Sequence, residues 1–319
     1  MNFGSCYYYF VKKISFIIPA YNEAGNVAEL HSQISKVIEV IKNYEFEFLF
    51  IENGSTDKTF DELQKLSEID KRIKIIKLSR NFGMDGGISV GIDNVNSNAA
   101  IIMTSNLQDD PKIIPKFIEK WEEGYDQVYG IVKSRPGKSL LRKFNSKLFY
   151  KLVNYFSDIN IPVNASDYRL VDKKVIEAVR KLTEVNRFYR GFFSWVGFKS
   201  IGINFERQKR HSGKSHAKTS IVLTYAIKLI LAFSTKPLRI AIILTLVTSV
   251  TSLFILISQT IRWFTFGVPF DGFGTLTGII LLFMSFIFLI LSILGEYIGL
   301  TYEESRKRPH YIIEKKYNF

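Results

Sequence analysis

Between residues 14 and 132, short apolar runs alternate with longer segments of helical length. The runs read "ISFIIPA", "EFLFIEN", "IKIIKL", "AAIIMT" and "DQVYGIV" and are rich in β-branched and aromatic residues. Strands alternating with helices predict an α/β fold, a parallel sheet with helices on both faces. Such sheets bind ligands beyond the carboxyl ends of their strands. Those ends read Pro19-Ala20-Tyr21-Asn22-Glu23, Glu52-Asn53-Gly54-Ser55-Thr56-Asp57, Ser79-Arg80-Asn81-Phe82-Gly83 and Thr104 to Asp110. Singly each is an ordinary turn, with Asn53-Gly54 a turn signal and Ser55 or Asp57 a helix cap. Four polar ends along one edge of a sheet together mark a site.

A different pattern takes over after residue 237. Ile240 to Ile261 and Gly272 to Gly295 carry no charge, and at 1.5 Å per residue each spans roughly 33 Å or more, enough for a bilayer core. Two such runs with no polar face predict membrane helices rather than buried soluble ones. Lys228, Lys236 and Arg239 precede the first and Arg306, Lys307 and Arg308 follow the second, while the connecting loop offers only Arg262. Basic residues stay inside, so both termini are expected in the cytoplasm, with Trp263, Phe264 and Phe266 at the opposite interface. The stretch "TSIVLTYAIKLILAFSTKPL", interrupted by Lys228, reads as a helix lying in the membrane surface. A third span is the alternative, at the cost of a lysine near its centre.

Length and charge add two constraints. A chain of 319 residues exceeds one ordinary core, so two parts are expected. The formal charge of +13, from 43 Lys+Arg against 30 Asp+Glu, points to an anionic partner: phosphorylated ligands, an acidic membrane surface or nucleic acid. The basic residues gather near the membrane runs rather than on an aromatic-lined recognition motif, which disfavours nucleic acid. The single cysteine, Cys6, excludes an internal disulfide and fits a reducing compartment. The run after Lys12 and Lys13 is too short for a secretory signal. There is no internal repeat, P-loop or zinc spacing.

At the strand ends, "FIIPAYNE", "ENGSTDKT", "SRNFG" and "LQDDP" occur in that order, and the chain thereby resembles the family-two inverting glycosyltransferases. Four later segments, "ASDYRLVD", "NRFYRGFFSWVGF", "RQKRHSGKS" and "GEYIGLTYEESRKRPHYII", narrow the resemblance. They look like the polyisoprenyl-phosphate glycosyltransferases, relatives of dolichol-phosphate mannose synthase and the bactoprenol glucosyltransferases. The resemblance implies a GT-A, Rossmann-like nucleotide-sugar-binding domain over residues 1–213, then a juxtamembrane interfacial amphipathic helix over 214–237. Transmembrane helices over 238–262 and 272–298 come next, and 299–319 is a cytoplasmic tail.

The implied reaction is attack of a lipid phosphate oxygen on the anomeric carbon of a nucleotide sugar, with inversion and loss of a nucleoside diphosphate. That chemistry needs charge against the diphosphate, a shaped pocket for base and ribose, and an acceptor held in line. A phosphate monoester is already largely ionised at neutral pH, so a strong base is less pressing. By position, the resemblance gives the nucleotide to Pro19, Tyr21, Glu23, Glu52, Gly54, Ser55, Arg80 and Gly83. Glu52 and Asn53 stand where the family commonly has two aspartates. It gives the lipid phosphate to Arg135, Arg142 and Ser146, since arginine grips phosphate with paired hydrogen bonds, and to Arg207, Arg210 and Ser215. His216 replaces a usual lysine there. Asp167 and Arg169, in "DYRL", are expected beside the sugar or acceptor; a local ion pair is the other reading.

The stretch "AAIIMTSNLQDDPKII" (99–114) bears on the metal. The family usually reads "DADLQDPP" here, which places Thr104 and Asn106 where two aspartates belong. Asp110 before Pro111 reads as a helix N-cap with proline at N1, and Asp109 stays open. A weakened Mg2+ or Mn2+ site from Asn106 and Gln108, with Asp109 in reach, is one expectation. Replacement of metal charge by Arg and Lys is another. The resemblance favours UDP-glucose while leaving N-acetylglucosamine, galactose and mannose open as the sugar, and further implies undecaprenyl phosphate as acceptor at the bacterial inner membrane, a homo-oligomer, and a flippase and a second glycosyltransferase downstream. The product would serve O-antigen or another envelope glycan. The competing class is a degenerate, non-catalytic membrane partner or scaffold, which the missing aspartates favour.

Overall fold

The five expected strand runs are strands: β1 (Lys12–Ala20), β2 (Tyr44–Glu52), β3 (Ile73–Leu78), β4 (Ala99–Ile102) and β5 (Gln127–Val132). A computed structural model of the chain describes residues 11–133, 162, 164–185, 187–208, 236–267 and 272–319. Helices α1 (Val27–Ile38), α2 (Thr59–Ile69), α3 (Gly83–Asn94) and α4 (Ile114–Glu122) connect the strands. β1 is buried without interruption from Ile14 to Ala20, as a central parallel strand covered on both faces must be. Ile14, Phe16, Ile18, Phe48 and Phe50 meet Leu30, Ile34 and Phe117 in one core.

The sheet is mixed rather than wholly parallel. Among the described residues its eight strands, with β6 at Ala165–Asp172, β7 at Ser200–Phe205 and β8 at Ile313–Tyr317, run β7-β5-β6-β4-β1-β2-β3-β8. β4, β1, β2 and β3 are parallel neighbours. The fifth predicted strand does not lie beside the fourth: β6 (Ala165–Asp172) enters between them, antiparallel to both. After it come α5 (Lys173–Arg180) and α6 (Tyr189–Trp195), and β7 (Ser200–Phe205) joins β5 in parallel.

This order creates the site. The chain leaves β1 toward β2 and β3, then returns to β4 on β1's other side, so the crevice beyond β1 and β4 is the topological switch point. β6 runs backwards, which brings its beginning, including Asp167, to the edge where β4 and β5 end. β7 runs with β5, so Arg207, two residues after it, emerges at that edge too.

Residues 308–319 group with this sheet unit, and the described residues 236–267 and 272–307 belong to a second unit. In the second unit α7 (Lys236–Phe266) and α8 (Phe273–Ser305) are longer than the predicted spans of 238–262 and 272–298. Each contains a stretch long and apolar enough to cross a membrane, Leu238–Ile255 and Leu282–Ser305, with mean hydropathy 2.1 and 2.0. Leu246, Val250, Phe254 and Phe288 are exposed on them. The segment 219–235, expected at the membrane surface, lies outside the described residues.

The stretch 299–319 differs from the expected tail. After α8 the chain forms β8 (Ile313–Tyr317), antiparallel to β3 at the open edge of the sheet. Ser79 donates its N–H to Ile312 O at 3.1 Å, Tyr311 donates its hydroxyl to Asp93 at 3.0 Å, and Lys77 pairs with Glu314 at 2.8 Å.

Candidate active site

The loops after β1 and β2 lock together. Asn22, at φ 55°, donates its N–H to Ser55 Oγ at 3.1 Å and accepts from Thr56 N at 2.8 Å. Glu23 N donates to Thr59 Oγ1 at 2.8 Å and Ala24 N to Asp57 Oδ2 at 3.3 Å. Glu23 and Glu52 are buried; Glu23 accepts from the Asn26 amide and Glu52 from Ser55 N at 2.5 Å. Tyr21 is half-buried at the rim.

Asn53 ties this pair of loops to the third. Its Oδ1 accepts from Phe82 N at 2.9 Å and its Nδ2 donates to Gly83 O at 2.8 Å. An amide serves here because one oxygen and one N–H are needed at once, which a carboxylate lacks. Gly54, at φ 67°, presses on the Arg80 backbone: a Cβ would lie 2.3 Å from Arg80 C. Arg80 is exposed and stacks its guanidinium 4.0 Å from the Phe82 ring. Pro19, Glu52, Gly54, Ser55, Arg80 and Gly83 therefore stand at three adjoining strand ends.

At the end of β4 the turn 104–110 closes on itself. Ser105 Oγ donates to Pro19 O at 2.9 Å, fastening the turn to β1. Asp109 is 1% exposed; its Oδ2 accepts from Thr104 N at 3.1 Å and lies 2.6 Å from Thr104 Oγ1. Asn106 Oδ1 accepts from Gln108 N at 3.1 Å, and Asn106 Nδ2 donates to Gln108 Oε1 at 3.3 Å. Leu107 at φ 58° lets the turn fold back. Asp110 caps the next helical turn, accepting from Lys112 N at 3.0 Å with Pro111 at the first position. That 3-10 turn, Pro111–Ile113, leads into α4, whose Ile114, Phe117 and Trp121 are buried as the helix-start reading requires.

β6 and β7 supply the opposite wall. Asp167 pairs not with its neighbour Arg169 but with Arg190 of α6, in a two-bond fork at 2.8 and 3.0 Å. Burial alone would raise the Asp167 carboxyl; Arg190, with Arg169 and Arg207 nearby, outweighs burial and holds it below the ordinary range. Arg169 turns inward: it is 5% exposed, donates to Ser166 O at 3.0 Å and stacks 4.5 Å from Phe193. Burial pushes its guanidinium down to about 10. With Arg190, Tyr129 and Ser194 it lines a cavity of about 250 Å³.

Arg207 closes the group. Gln208 N donates to Gln108 O at 3.2 Å, pinning this segment over the β4 turn, and Arg207 Nη2 stands 3.7 Å from Asp109 Oδ1. That exceeds a hydrogen bond; Asp109 Oδ1 and Arg207 Nε are both buried without a partner. Burial pushes the Asp109 carboxyl up, against the pull of Arg207 and Thr104.

Asn106, Gln108, Asp109, Asp167 and Arg207 are thus brought to one edge. Arg135, Arg142, Ser146, Arg210 and Ser215 lie outside the described residues. Sequence reading missed Arg190, although its segment "NRFYRGFF" was part of the resemblance, because a pairing 23 residues apart leaves no local signal.

The amide oxygens nominated for a metal already accept hydrogen bonds within the turn, Asn106 Oδ1 from Gln108 N and Gln108 Oε1 from Asn106 Nδ2, and the nearest carboxylate is buried against Thr104 and faced by Arg207. Among the described residues no group of three or more His, Cys, Asp or Glu could hold a metal ion. The donor set does not fit a resident divalent cation, which needs free anionic oxygens.

Comparison with known proteins agrees with the fold. The PcManGT mannosyltransferase from Pyrobaculum calidifontis, solved with GDP-Man and Mn2+, is similar with a TM-score of 0.50, covering 70% of this chain and 64% of that one at 12% identity. The glycosyl transferase family 2 model matches residues 15–180. The uncharacterized glycosyltransferase YkcC of Bacillus subtilis is 37% identical over 304 residues, 95% of this chain and 94% of that protein. The bactoprenol glucosyl transferase of Shigella phage SfV is 33% identical over 305 residues, 95% of this chain and 99% of that protein. With a GT-A sheet, polar strand ends gathered at its switch point and relatives matched along nearly its whole length, the chain belongs to glycosyl transferase family 2 and is a glycosyltransferase.

Proposed function

We propose that this glycosyltransferase moves a hexosyl group, with inversion, from a nucleotide sugar to a polyprenyl phosphate at the cytoplasmic face of the bacterial inner membrane. UDP-glucose is the favoured donor and undecaprenyl phosphate the favoured acceptor. The observation that carries this reading is the match to a bactoprenol glucosyl transferase over 95% of the chain, both membrane-length helices included. α7 and α8 span the bilayer with both termini inside. The protein works as a homo-oligomer, and its lipid-linked sugar passes to a flippase and a second glycosyltransferase for an envelope glycan such as O-antigen.

In the reaction an acceptor phosphate oxygen attacks the anomeric carbon opposite the leaving group. The bond from that carbon to the diphosphate breaks, and its electron pair leaves on the diphosphate. Glu52, Gly54, Ser55, Arg80 and Gly83 hold base and ribose, with Pro19, Tyr21 and Glu23 shaping the rim. Asp167, held ionised by Arg190, orients the sugar or acceptor. Arg207, braced on Asp109, meets phosphate charge. Arg135, Arg142, Ser146, Arg210 and Ser215 serve the acceptor phosphate.

Thr104 and Asn106 in place of carboxylates favour a second reading, a partner protein that binds without turnover. Membranes containing this chain, given radioactive UDP- and GDP-sugars and undecaprenyl phosphate, decide between the two. Labelled lipid supports transfer, whereas nucleotide binding with no labelled lipid from any donor supports the partner.

A further inference from the structure

We infer that Arg207, seated on Asp109, is a built-in cation for the donor's diphosphate, so that this chain binds a nucleoside diphosphate without a divalent metal. The inference rests on the donor site proposed above. Three observations carry it.

The β4 turn offers a metal no open carboxylate: its one unpartnered carboxylate oxygen among the inward groups, Asp109 Oδ1, is buried and faced by the Arg207 guanidinium. Mg2+ and Mn2+ take oxygen ligands and lean on carboxylates. The turn's inward carboxylate, Asp109, is 1% exposed and bonded through Oδ2 to Thr104, and Asp110 is taken up by its cap. The Asn106 and Gln108 oxygens already accept hydrogen bonds within the turn. A divalent ion would have to break those bonds and sit beside a guanidinium.

The guanidinium is placed and unspent. β7 delivers Arg207 to the strand-end edge, and the bond from Gln208 N to Gln108 O, at 3.2 Å, fixes the chain over the turn. Its side chain is 23% exposed, and the approach to Asp109 Oδ1 is 3.7 Å, too long to use up a donor. Arginine carries five N–H donors in a fork that matches phosphate oxygens. Its Nε has no partner.

The local charge has the required sign. Arg169, Arg190 and Arg207 gather with Asp109 and Asp167, three cations against two carboxylates. The Asp167–Arg190 fork occupies both of its groups and Arg169 is 5% exposed, which leaves Arg207, 23% exposed, as the accessible cation of the three without a hydrogen-bonded carboxylate. A diphosphate brings the anionic oxygens that this cluster lacks.

The test uses the purified full-length chain in detergent, titrated with UDP and with GDP by calorimetry, in excess EDTA and in Mg2+ or Mn2+. Metal-free binding at an affinity close to that in metal is expected. Arg207→Gln should weaken that binding about tenfold or more, and Arg207→Lys should recover part of it, since a point charge replaces a fork. The double substitution Thr104→Asp with Asn106→Asp, which adds two carboxylates to the turn, should make binding depend on metal. The comparison of EDTA with metal on the unaltered chain stands even if a variant fails to fold. Binding abolished by EDTA and restored by Mg2+ or Mn2+ would overturn the inference and leave the transfer reading intact. Metal-free binding with no sugar transfer would support the inference and overturn the transfer reading. No binding of either diphosphate under any condition would overturn both.

Discussion

Arg190→Gln tests the wall of the site that β6 and α6 build. The wild-type fork presents two charge-assisted bonds, at 2.8 and 3.0 Å, between side chains 22% and 31% exposed. Breaking a fully buried pair costs about 3–5 kcal/mol; partial exposure lowers the expectation here to about 2–3 kcal/mol. If the pair matters in the transition state, kcat falls by about 30- to 150-fold. The pH profile should move as well. With its partner gone, the Asp167 carboxyl returns upward from its depressed value, so the acid limb of activity shifts to higher pH. The sign follows from the depressed carboxyl: its contribution is present at neutral pH and lost as pH falls through its own value. Arg190→Lys keeps the charge without the fork and should recover only part of the rate. Kinetics of labelled-lipid formation, measured beside a melting temperature, provide the assay. A lower melting temperature with unchanged kcat and an unmoved acid limb would refute the reasoning, because the pair would then hold the fold alone.

Other expectations concern the frame of the site. Asp70 is bound by Arg72 and His31, and the Arg72 hydrogen bonds hold its carboxyl well below the ordinary range. Asp70→Asn should cost about 1 kcal/mol at neutral pH, discounted for the exposed Arg72, and the difference should fade as pH falls below about 4 in thermal melts. Gly54→Ala places a Cβ 2.3 Å from Arg80 C at φ 67°; it should cost about 2 kcal/mol or more and weaken nucleotide binding in calorimetry. Asp110→Ala removes only a cap and should cost about 1 kcal/mol of stability with kcat unchanged.

What the sequence disclosed was what short stretches determine. The five strand runs, the cap at Asp110 and the two long apolar helices arise from local period, turn chemistry and length, so they were legible. The place of β6 was not, because strand order depends on contacts far apart in the chain. "DYRL" pointed to Asp167, yet its partner comes from another element, and Arg169 faces a cavity instead. β7, "SIGINF", is short and half-exposed, and β8, "IEKKY", carries three charges, as edge strands do; neither shows a clean alternation. Asn53 illustrates a third limit: its identity suits a brace between two loops, visible only once both loops are placed.

β8 also bears on how the protein is made. Synthesis runs from the amino end, and domains fold as the chain emerges. Lys77 of β3 meets its partner Glu314 across 237 residues of sequence, with both membrane-length helices between them. A ribosome therefore completes α7 and α8 before the last strand of the sheet exists, and until then β3 presents an unpaired edge of the kind that recruits other chains. Closure of the catalytic sheet reports that the helices have been made. A soluble fragment ending before α7 would carry that open edge permanently, so aggregation is its expected fate unless β8 is grafted back.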